Sequence, residues 1–154
     1  MRWARLSLSS LALLLAACDA APPPSPYRLR ADDTAVVATG AKVYAAHCAA
    51  CHGAQLQGQA NWRERDAGGR LPAPPHDASG HTWHHPDEVL FRITKHGVAR
   101  AANLKDYASA MPAYEGVLAD DEIVAVLSWI KAQWPRDIRR QQEEVDAAAR
   151  ARRP

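Results

Sequence analysis

Three stretches of the chain repeat their hydrophobic positions at helical spacing. The clearest is DDEIVAVLSWIKAQW, residues 120–134, where Ile123, Val126, Leu127, Ile130 and Trp134 fall at i, i+3, i+4, i+7 and i+11. That rhythm lines five apolar side chains along one core-facing stripe, with acidic residues at the start and Pro135 as a stop. An earlier helix is predicted where Val36, Gly40, Val43, Tyr44 and His47 share a face, capped by Asp33 or Thr34. Gly40 costs such a helix roughly 1 kcal/mol relative to alanine, which points to a backbone or bulky side chain passing close by. The third, PDEVLFRITKHG at 86–97, carries Val89, Leu90 and Ile93 on one side, acids at its N-terminal end and Gly97 as terminator. Residues 136–154 are rich in helix formers with little to bury, and read as a solvated helix fraying to disorder. Strict alternation is absent from the sequence, so the predicted fold is all-α, one domain over residues 33–135.

Upstream of that domain the pattern changes. Arg2 and Arg5 precede an apolar run from Leu11 to Ala17, then a cysteine after small residues, which is a secretory signal pattern over residues 1–17. The run is much shorter than the ~20 apolar residues that span a bilayer. LAAC, Leu15 to Cys18, resembles the bacterial lipoprotein box, which implies a lipid anchor on Cys18; an ordinary cleaved signal is the alternative. Asp19 after it resembles an inner-membrane retention signal, so the location implied is the periplasmic side of a bacterial inner membrane, or a soluble periplasm without the anchor. Proline-rich residues 18–32 read as a flexible tether. The 154-residue chain has 19 basic and 17 acidic residues, and without Arg2 and Arg5 the two signs balance. No nucleic-acid partner is implied.

Of three cysteines, two remain to be explained, in YAAHCAACHGAQLQG: Cys48, Cys51 and the adjoining His52. Cys-x-x-Cys-His is the spacing of c-type haem attachment, because two thiols add to the two vinyl groups on one porphyrin edge and set the next imidazole beneath the iron. A redox dithiol would sit between a strand and a helix, whereas here the pair ends a helix. A structural zinc would need four nitrogen or sulfur ligands, two of them histidines from elsewhere. The glycine- and proline-rich segment 53–80 is too long for an ordinary connection and suits a chain that wraps a large prosthetic group. Beyond Met1 the one methionine is Met111, followed by Pro112 and set just ahead of the last amphipathic helix.

Together TGAKVYAAHCAACHG and MPAYEGVLADDEIVAVLSWIKAQWP resemble class I cytochrome c over about 100 residues. The resemblance implies three to four helices wrapped around one covalently bound haem c, with Cys48 and Cys51 as thioethers and His52 and Met111 as axial ligands. It places Gly40, Tyr44 and Trp129 where the first and last helices cross. It also implies a proline carbonyl on the second ring nitrogen of His52, from Pro74 or Pro75, and puts His76 where leucine is usual.

The dense histidines His76, His81, His84 and His85 suggest either a copper or zinc site or polar loop residues, with His84 or His85 capping the helix after Pro86. Trp83 either packs in the core or meets the haem edge with its indole N–H on a propionate, and Arg92 and Lys95 are candidates for the same role. His47 is expected to pack on its helix face near the haem. The function implied is a membrane-tethered single-electron carrier with unknown redox partner proteins, rather than an enzyme. The alternative is a haem-based redox or gas sensor, or a metal-handling protein using residues 76–85.

Overall fold

The computed structural model describes residues 25–152, and the signal pattern of residues 1–17 and Cys18 lie outside them. Six α-helical segments and one 3₁₀ turn follow in order, with no strand among the described residues: α1 Thr34–His47, α2 Ala49–His52, the 3₁₀ turn Thr82–His84, α3 Asp87–His96, α4 Val98–Ala101, α5 Asp120–Ala132 and α6 Arg136–Ala151. Two of the six are single turns, which is why the periodic signal of the sequence resolved fewer.

Asp33 starts α1 by accepting from the Ala35 and Val36 amides, which satisfies donors that have no partner inside the helix. α1 crosses α5 at Gly40. A β-carbon there would lie 2.0 Å from the Ala125 carbonyl oxygen and 2.7 Å from Trp129 Cβ, so only glycine permits this approach. One turn on, Tyr44 packs on Trp129 with ring centroids 4.5 Å apart. Ile123, Val126, Leu127, Ile130 and Trp134 all reach the core they share with Val43, Leu90 and Phe91. α3 ends at Gly97, whose φ of +79° turns the chain into α4.

Two segments are more tightly held than their composition suggests. The stretch expected to be flexible tether is docked from Tyr27 onward: Tyr27 stacks on Phe91 at 4.6 Å, Leu29 is buried, and the Leu29 and Arg30 amides donate to Asp87 Oδ2 and Ser128 Oγ at 2.9 Å each. The segment after Pro135, expected to be solvated, is the long helix α6, seated on the 3₁₀ turn and the start of α3. Gln142 is fully buried and donates to Asp87 Oδ1 at 2.7 Å, while Asp146 accepts from the Asp87 amide at 3.1 Å. Asp146 therefore supplies the cap of α3. Pro86, the residue at the cap position, makes no side-chain cap bond itself.

Candidate functional site

The cysteine pair sits where α1 gives way to α2. The Cys48 amide continues the α1 ladder to the Tyr44 carbonyl, and the Cys48 carbonyl then accepts from both Cys51 and His52 at 3.1 and 2.9 Å. This single helical turn sets residues three apart on the same side. Both cysteines are free thiols, Cys48 partly covered and Cys51 exposed. Burial, with Cys51 alongside, pushes the Cys48 thiol up to about 11. Gly53 ends the turn at φ +80°, its carbonyl accepting from the Tyr44 hydroxyl at 2.8 Å.

His52 is buried at 7% exposure. Its Nδ1 lies 2.8 Å from the Pro74 carbonyl, so of the two candidate prolines Pro74 makes this bond. A carbonyl only accepts, so Nδ1 carries the proton and Nε2 keeps its lone pair. Burial lowers the affinity of the ring for a second proton, and the Pro74 bond opposes this more weakly. The result is a neutral imidazole with one nitrogen held and the other available as a ligand, the pattern of metal-binding histidines.

The 53–80 loop is fastened beneath this ring. The His76 amide donates to Leu56 O at 2.8 Å and the Gln59 amide to Ala73 O at 2.9 Å. Pro75, buried in the loop, is crowded on one side by Gly80, where a β-carbon would lie 2.0 Å from its carbonyl oxygen. His76 lays its ring over His52, centroids 4.0 Å apart and planes 20° from parallel.

Met111 is half-buried and packs against the same apolar cluster as Cys48 and Trp83. Its loop is tied to α3 on the downstream side, where the Tyr114 and Glu115 amides donate to the Thr94 and Lys95 carbonyls, and the Met111 amide donates locally to Ser109 Oγ. The Tyr114 hydroxyl also donates to the His47 carbonyl at 2.6 Å, which joins the methionine loop to the residue just before Cys48. Tyr114 was not among the residues singled out from sequence, since a lone tyrosine in an irregular loop has no periodic or motif context. His47 itself is exposed, with its ring edge towards Tyr114.

Trp83, Lys95 and Arg92 each have partners within the chain, and Trp83 packs against the apolar cluster. The Trp83 indole N–H donates to Ala78 O at 3.3 Å and its ring stacks on His84 at 3.6 Å. Lys95 pairs with Asp120 at 2.6 Å and Arg92 donates to Ala101 O at 3.3 Å. Among the loop histidines, His81 stacks on Trp62 and meets His85 edge-on at 5.7 Å, while His84 stacks on Trp83. Among the described residues no three or more His, Cys, Asp or Glu side chains gather to hold a metal ion.

The donor set accommodates a covalently held haem: two free thiols on one turn, an imidazole with an unprotonated nitrogen, and a thioether in the same apolar cluster. Compared with known families, residues 35–130 match the family described as cytochrome c oxidase, cbb3-type, subunit III. No curated protein and no solved structure matches the chain.

Proposed function

The chain belongs to the cytochrome c domain family described as cytochrome c oxidase, cbb3-type, subunit III, and from that membership we propose that it is a single-electron carrier holding one haem c through Cys48 and Cys51, with His52 and Met111 as axial ligands. A cytochrome c domain transfers electrons through haem iron, which cycles between ferric and ferrous states. The chain's own residues set the conditions for that exchange. Cys48 and Cys51 supply thioether positions, and Pro74 holds the His52 proton away from the ligating nitrogen. Cys48 and Met111, both partly buried, pack against the apolar core, and apolar surroundings of this kind shape the potential of a bound metal.

The observation that carries the reading is the Tyr114 to His47 hydrogen bond, because it draws the loop bearing Met111 against the helix end bearing the thiols. Filling both axial positions from the chain leaves none for substrate, which favours transfer over catalysis. The test is production in a bacterial periplasm with haem-maturation machinery. Haem resistant to acid-acetone extraction is expected, with a near-infrared iron-to-thioether band in the ferric protein that Met111→Ala abolishes. Extractable haem defeats the proposal, and tight carbon monoxide binding by the unaltered ferrous protein replaces it with a sensor.

The family description names an oxidase subunit, which supports a place in a respiratory chain for this carrier, either free or as a subunit. No helix among the described residues is long and apolar enough to cross a membrane. We propose that Cys18 carries a diacylglyceryl anchor on the periplasmic side of the inner membrane. Cys18→Ser should move the protein from the membrane fraction to the soluble one, and unchanged fractionation rules the anchor out.

A further inference from the structure

His76 occupies the position where the resembled family usually has leucine, and the fold fixes it on three sides. Its amide donates to Leu56 O at 2.8 Å, its carbonyl accepts from Trp134 Nε1 at 2.7 Å, and its Nδ1 lies 2.8 Å from the hydroxyl of buried Thr82. The ring so held lies nearly parallel to His52 at 4.0 Å. An aliphatic side chain would fill this space without desolvating two ring nitrogens, so the packing need alone does not account for an imidazole here.

The Pro74 bond secures one edge of His52, and a single hydrogen bond still lets a ring pivot about its N–H···O axis. A flat ring against its face removes that freedom. Resting on the haem-binding reading above, we propose that His76 is a positioning residue: stacked on His52 and pinned by Thr82, it sets the plane of the iron's proximal ligand. The orientation of that plane relative to the porphyrin nitrogens governs how the iron d orbitals split, so the ferric paramagnetic spectrum reports it directly.

The experiment compares haem-loaded wild type, His76→Ala and His76→Phe by electron paramagnetic resonance of the ferric form and by reduction midpoint. The alanine variant should show shifted and broadened g values and a moved midpoint, while phenylalanine, which keeps a flat ring, returns the spectrum towards wild type. Where the alanine variant fails to fold, His76→Leu fills the space without a plane and is read in its stead. Wild-type g values and midpoint in the variant lacking a ring overturn the proposal, as does a phenylalanine variant that behaves like it. Wild-type protein without covalent haem overturns the functional reading as well, whereas haem-loaded variants identical to wild type overturn this inference alone.

Discussion

A β-carbon at position 40 would penetrate the Ala125 carbonyl oxygen, so the helix propensity lost at Gly40 is recovered in the contact of α1 with α5. Backbone cannot yield as a flexible side-chain end can. Gly40→Ala must therefore separate the helices and loosen the Tyr44 to Trp129 stack. Overpacking of this kind costs about 1–3 kcal/mol, more where backbone is the obstacle, against about 1 kcal/mol of helix propensity gained. The expected result in a thermal melt is a Tm lower by about 5–10 °C; an unchanged or raised Tm means that the helices cross elsewhere. The same logic applies to residue identity at the site. Tyr114 matters through its hydroxyl, which reaches the His47 carbonyl, and Pro74 matters through a carbonyl that every residue type possesses.

Among the elements, α6 and the segment from Tyr27 to Arg30 share one anchor. Asp87 accepts from the Leu29 amide and from Gln142, and its own amide donates to Asp146, which also pairs with Arg150. Asp87, Gln142 and Asp146 are all buried, so the groups left behind when one partner is removed lose water as well as a bond. Asp146→Ala should cost about 1–3 kcal/mol on that ground, read as a lower urea midpoint at unchanged slope. Ending the chain at Pro135 should cost more, because Gln142 and Ile138, which packs against the apolar core, leave with the rest of the helix. A truncated protein with the wild-type midpoint would mean that α6 is a passenger on the domain.

Across the whole molecule, what could be read from sequence was what repeats locally or matches a short spacing. α5 announces itself through five apolar positions, and Cys48, Cys51 and His52 through adjacency. Gly40 stood out because it breaks the rule of its own helix. The helical character of α6 was legible, but its docking and that of residues 27–30 were not, because their anchors are polar and lie 55 to 59 residues from Asp87, where no periodicity links them. His76 was visible as a departure from the resembled family, but its stacking on His52 depends on how residues 53–80 fold back. That fold-back also burdens the loop histidines. His76, His81 and His85 are held below the ordinary value of 6.5, His76 well below it, burial being the larger cause for each and neighbouring cationic groups the smaller. A base whose affinity for protons is depressed by folding stabilises the native state fully above pH 6.5, and that contribution drains away as pH falls through the lower native values, since the unfolded chain then binds more protons. Asp32 and Glu115 shift in the same direction from 3.8 and 4.5, so their contributions persist until well below pH 5. Between pH 7.5 and 5 the histidines should dominate, and the urea midpoint should fall steadily across that window. In a His81→Asn, His85→Asn double variant the slope should flatten; a wild-type slope there would assign the loss to other groups.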